Sequence, residues 1–149
     1  MTKDQIREYC SAEFENIDKV VASLSSVAVS GKKNHPTANL ASMAVFIHNA
    51  YNGMENILKR VLLSKNVPIK DSPTWHKDVL KASLDHGIID RRLFDAMSDY
   101  LSFRHFFVHS YVFTLKWEEL KPLTVNLKGT LNDFKSAIRR AIGTETGKR

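Results

Sequence analysis

The stretch FRHFFVHSY, residues 103–111, sets one arginine, two histidines and a tyrosine among three phenylalanines and a valine. Histidine is the side chain that gains and loses a proton near neutral pH. Arginine grips a phosphate with two parallel donors. Arg104 and His109 together suit transesterification of RNA. A ribose 2′-hydroxyl attacks the adjacent phosphate, a base takes its proton, an acid protonates the leaving oxygen, and a cation steadies the developing charge. That chemistry needs no metal. It does need two proton transfers, and the stretch offers one obvious histidine for them. A symmetric dimer would supply two. The chemistry therefore points to a composite site across a two-fold axis.

Spacing adds a structural demand. Arg104 and His109 are five residues apart, which sets them roughly 140° apart on an ideal helix. A regular helix cannot bring them to one point. Either it ends or loosens between Phe107 and Ser110, or the two side chains meet residues of a second chain. His105 lies four before His109 and shares its face if the helix persists. The plainer reading is that basic groups collect at a helix C-terminus, where the dipole favours them. Phe103, Phe106, Phe107 and Val108 read as the anchor that holds the stretch in the core.

The elements that must position these residues read as helices. Glycine and proline are few, and apolar residues recur at spacings of three and four. A first helix is predicted from about Thr2 to Ser30, with Ile6, Tyr9, Cys10, Ile17, Val20, Val21 and Leu24 as its stripe; Gly31 and the following KKNHPT end it. A second runs from about Thr37 to Ser64. Gly53 sits inside it, at a cost of about 1 kcal/mol against alanine, and would permit close approach of a neighbour. KNVPIKDSPT is a linker, Trp75 to His86 a short helix, and Gly87 its close. A fourth helix runs from about Ile88 into the motif, with Leu93, Met97, Tyr100 and Leu101 inward. The last spans about Thr114 to Ile142, with a kink or delayed start expected at Pro122. The sum is an all-α, up-down bundle of four long helices and one short one.

Other groups are less telling. His48, Asn49, Tyr51 and Glu55 lie on the second helix, where a solvated or interface face is the preferred reading. His76 and His86 are ten apart, which is no metal-ligand spacing. Trp75 and Trp117 each open a helix. The chain lacks a glycine-rich phosphate loop, an H-E-x-x-H motif and a nucleophile elbow. No cofactor and no metal are expected. One cysteine excludes an internal disulfide and fits a reducing compartment. No apolar run approaches the roughly 20 residues of a membrane span, and the amino terminus is neither signal nor transit peptide, so a cytoplasmic protein is expected. A formal charge of +6 favours polyanionic partners such as RNA, and the run KSAIRRAIGTETGKR could guide RNA by its charge.

Arg104 to Tyr111 match the R-x4-H-x-Y pattern of the HEPN superfamily in its HepT-like toxin branch, including a polar residue, His105, straight after the arginine. The helical layout resembles that branch over nearly the whole chain. The resemblance implies a HepT-like HEPN domain over residues 1–142 and a disordered basic tail over 143–149. It further implies a metal-independent endoribonuclease, the toxin of a toxin–antitoxin pair, whose two protomers form one cleft. Arg104 and His109 would be the catalytic pair, with His105 supporting them or binding RNA. The implied partner is a small nucleotidyltransferase, MntA, that adds AMP to the motif tyrosine, here Tyr111. Added charge and bulk would then block a cleft built for RNA phosphate. The competing readings are a catalytically silent HEPN module that binds RNA or a nucleotidyltransferase, and a plain dimeric scaffold.

Overall fold

The computed structural model describes residues 2–28 and 35–143. Five α-helices follow one another: α1 Lys3–Val27, α2 Thr37–Ser64, α3 Trp75–Asp85, α4 Arg91–Val108 and α5 Trp117–Ala141, with one 3-10 turn at Val112–Thr114. Among the described residues there is no strand. The all-α bundle expected from periodicity is the fold observed.

α2 is the axis of the bundle. It packs against α1, α3, α4, α5 and the 3-10 turn, and its residues Met43, Ala44, Ile47, Ala50, Met54, Ile57, Leu58, Val61 and Leu62 are fully buried. A helix apolar on so much of its surface must be surrounded. The others show one stripe each: Ile6, Cys10, Ile17, Val21 and Leu24 from α1, Leu93, Met97, Tyr100 and Phe103 from α4, and Leu120, Leu127, Leu131, Phe134 and Ile138 from α5. Tyr9, Val20 and Leu101 are only partly covered.

Where α1 crosses α2, Gly53 is required. A Cβ there would stand 2.6 Å from Ile17 Cγ1 and 2.8 Å from its Cδ1, so the missing side chain is what lets the two helices meet. The close approach anticipated at this glycine is present.

Helix ends follow local chemistry. Thr2 caps α1 through a capping box with Gln5, and Asp90 caps α4 by accepting from the Leu93 amide at 2.8 Å. α3 closes through Gly87 (φ +72), whose amide donates to the Leu84 carbonyl while Ile88 N donates to Ser83. That is the pair of bonds a left-handed glycine makes possible.

Two boundaries differ from expectation. α4 starts at Arg91, because Asp90 is its cap and Ile88 and Ile89 are buried in the turn before it. α5 starts at Trp117 and runs through Pro122. The Leu123 carbonyl beside that proline accepts the Tyr100 hydroxyl at 2.6 Å, tying α5 to α4. α1 ends at Val27 with Ala28 as its C-cap; residues 29–34, where Gly31 was expected to stop it, and the tail after Gly143 lie outside the described residues.

Candidate functional site

α4 delivers the motif to one end of the bundle. Its last turn tightens: the His109 amide donates to the Phe106 carbonyl at 3.2 Å, and Ser110 Oγ donates to the same carbonyl. His109 is the C-cap, with φ −113 and ψ 6. The chain then turns extended at Tyr111, makes the 3-10 turn, and is fixed again by buried Leu115. The helix thus ends inside the interval that the Arg104–His109 spacing demands.

Arg104, His105 and His109 line one cleft of about 740 Å³ between α3 and α4. The rings of His105 and His109 meet edge to face, 4.8 Å between centroids, as a four-residue spacing on a persisting helical face requires. His105 and His109 are exposed, while Arg104 is half-buried, with its Nε enclosed and unpartnered. An enclosed guanidinium donor without an acceptor is costly, and an oxyanion in the cleft would be met by the other nitrogens of the group. Tyr111 does not line the cleft. It stands outside it, 72% exposed, with its ring stacked on Phe113 at 5.4 Å.

The anchoring role expected of the four apolar residues is divided. Phe103 is buried, and Phe107 packs on it at 5.8 Å between centroids. Phe106 is 38% and Val108 48% exposed, because the helix face that carries Phe103 inward turns these two outward near its end. Tyr111, Val112 and Phe113, next along the chain, are exposed too, and with these two give the motif segment an apolar rim.

The second helix also departs from expectation. Tyr51 and Glu55 are buried rather than solvated. Glu55 reaches His76 of α3, with Oε1 2.7 Å from Nδ1. Its Oε2 and the Tyr51 hydroxyl are both enclosed without a geometrically formed hydrogen bond. Burial holds the Glu55 carboxyl above its usual range, against the opposing pull of His76 and, behind it, Arg104. The Tyr51 hydroxyl is driven far up by burial and by Glu55. His48 is half-buried, packs its ring on Phe107 and accepts from Asn52 Nδ2 at 3.1 Å. Burial, then the charges of Arg104 and His76, lower its pKa.

His76 lines the cleft too, and spacing alone missed it. Its pairing spans 21 residues. The one available signal was an acid set inside the apolar stripe of Met54, Ile57 and Leu58, which needs a partner from another element. Among the described residues no group of acids, histidines or cysteines is arranged to hold a metal ion. Nor is any helix long and apolar enough to cross a membrane.

Comparison with known structures shows the same fold twice. A toxin–antitoxin complex described as MntA–HpeT contains a chain that matches with a TM-score of 0.69 and 16% identity, over 93% of this chain and 99% of that one. A tri-AMPylated HEPN toxin from Shewanella oneidensis, in complex with an MNT antitoxin, matches with a TM-score of 0.70 and 16% identity, over 92% and 98%. No curated protein matches the sequence. A family model described as HepT-like protein matches residues 42–143, a span that holds the motif, the cleft and the buried Glu55. The chain belongs to that HepT-like family.

Proposed function

We propose that this protein is the toxin of a toxin–antitoxin pair: a metal-independent endoribonuclease that cuts RNA by 2′-hydroxyl transesterification. The observation that carries the reading is the joint presence of Arg104, His105 and His109 in one cleft. The Arg104 guanidinium, on a side chain that lines the cleft, supplies the phosphate grip. His109, at the frayed helix end, supplies a proton-transfer group at the mouth. The chain works as a homodimer whose two motifs flank one RNA cleft; the exposed apolar rim of Phe106, Val108, Val112 and Phe113 supports that pairing. Tyr111 is the AMP acceptor for a nucleotidyltransferase antitoxin. Its exposed position beside the cleft supports this, and one structural neighbour is a tri-AMPylated toxin bound to such a partner.

One experiment with three arms tests the reading. Wild type should cleave RNA in EDTA and leave 2′,3′-cyclic phosphate ends. His109→Ala should lose about 100-fold or more, the usual loss when a proton-transfer side chain is removed. Wild type treated with an MNT-type nucleotidyltransferase and ATP should gain AMP on Tyr111 and stop cleaving. Failure of wild type on several RNA classes, tRNA included, would leave the silent binding module. Equal cleavage by wild type and His109→Ala would place the activity elsewhere.

A further inference from the structure

The cleft contains a histidine that the motif does not supply. His76 Nδ1 is bound to Glu55 Oε1 at 2.7 Å, and the Glu55 side chain is 3% exposed against 20% for His76. The Trp75 ring lies tilted against the imidazole, 3.7 Å between centroids, so the ring is held by a bond at one edge and a ring contact on one face. With Nδ1 engaged, Nε2 is the nitrogen left to meet a ligand in the cleft.

The proton on that nitrogen follows from burial. A carboxylate–imidazole pair withdrawn from water is most stable with no net charge. Two arrangements satisfy this. If the carboxylate is ionised and the ring is cationic, both ring nitrogens carry hydrogen. If the carboxyl is protonated, it donates to Nδ1, and the hydrogen of the neutral ring must sit on Nε2. Either way Nε2 carries a hydrogen, on a ring that lines the cleft. Other titratable and charged groups face the pair, and the cations among them favour an ionised carboxylate. From α2, burial favours the neutral forms of His48 and Tyr51. From α4, Arg104 comes near enough to act on Glu55, but less strongly than His76 does; His105 and His109 stand along the same wall. On α3 itself Lys77 and Lys81 line the cleft.

Resting on the ribonuclease reading, we propose that His76, held by Glu55, is the general acid of the reaction. His109 takes the 2′-hydroxyl proton, and the 2′ oxygen forms its bond to phosphorus. The bond from phosphorus to the 5′ oxygen breaks with its electron pair on oxygen, and that oxygen takes the proton from His76 Nε2. The products are a 2′,3′-cyclic phosphate and a 5′-hydroxyl. The pair is left with one negative charge, which nearby Arg104 offsets until water returns the proton. Each protomer then carries its own acid as well as its own base, and a shortage of histidines no longer demands a second chain.

The test uses His76→Gln, which keeps a polar group for Glu55 but has no proton to give. It should melt with the wild type and cleave ordinary RNA about 100-fold more slowly. A substrate with sulfur in place of the scissile 5′ oxygen loses a thiolate, which departs without an acid; there the variant should cleave at close to the wild-type rate. Equal slowing on both substrates would reduce His76 to a structural tie and overturn the proposal. So would unchanged cleavage of both, with His109→Ala still inactive; that result would leave the ribonuclease reading standing. No cleavage by wild type would overturn both. Should the variant fail to fold, the wild type decides. Its rate on ordinary RNA should fall at high pH with a midpoint matching the His76 ring titration by NMR, and the sulfur substrate should lack that limb. A mismatch, or the same limb on both substrates, overturns the assignment.

Discussion

Glu55 answers to two opposed demands. Burial favours its neutral form, and the His76 bond favours its charge; burial wins, so its pKa is raised in the folded chain. A group whose folded pKa is raised gives its full stabilisation below the unfolded pKa, about 4.3 for glutamate, and loses it as pH climbs through the folded value. Glu55→Gln has no such titration. The wild type should therefore lose stability relative to Glu55→Gln as pH rises above about 4, measured by denaturant unfolding at several pH values. A difference that stays flat would mean that Glu55 titrates in the fold as it does in the unfolded chain. At this scale the sequence reading was uneven for a physical reason. Arg104, His105, His109 and Tyr111 are neighbours along the chain, so their types and spacing could be weighed directly. Glu55 and His76 are neighbours only in space, and no spacing announces them.

Helices α1 and α2 pack closely at Gly53, where a Cβ would meet Ile17. Gly53→Ala gains about 1 kcal/mol of helix propensity. It also forces a methyl group against the γ-carbon of fully packed Ile17, and overpacking of this kind costs about 1–3 kcal/mol. The net expectation is a loss of about 1 kcal/mol, read as a lower midpoint in urea with an unchanged slope. A more stable variant would show that α1 can shift without cost. The elements themselves were legible in the sequence, since helical periodicity is a local property. α2 runs from Thr37 to Ser64, as its stripe indicates. Ends governed by backbone geometry were less so. Asp90 takes the cap that moves the start of α4 beyond Ile88, and α5 runs through Pro122 instead of starting there. The outward turn of Phe106 and Val108 depends on where α4 stops against its neighbours, which composition does not encode.

For the molecule as a whole, the open question is whether one chain holds a complete site. The apolar rim bears on it. Phe113 is 74% exposed and stacks only on Tyr111 among the described aromatic rings. An aromatic side chain this exposed contributes little to the fold of one chain, and a great deal to an interface that covers it. Phe113→Asp should therefore leave the melting temperature of a dilute sample nearly unchanged. It should weaken self-association by about 2 kcal/mol or more, roughly 30-fold in Kd, as measured by sedimentation at a series of concentrations. Cleavage at concentrations where wild type is dimeric and the variant is monomeric then divides the two arrangements. Loss of cleavage with Arg104, His76 and His109 all intact would mean that the second protomer completes the RNA cleft, because the phosphate grip of one chain alone does not hold the substrate in line. Retained cleavage at the wild-type rate would mean that base, acid and cation all come from a single chain, and the composite cleft would have to be given up.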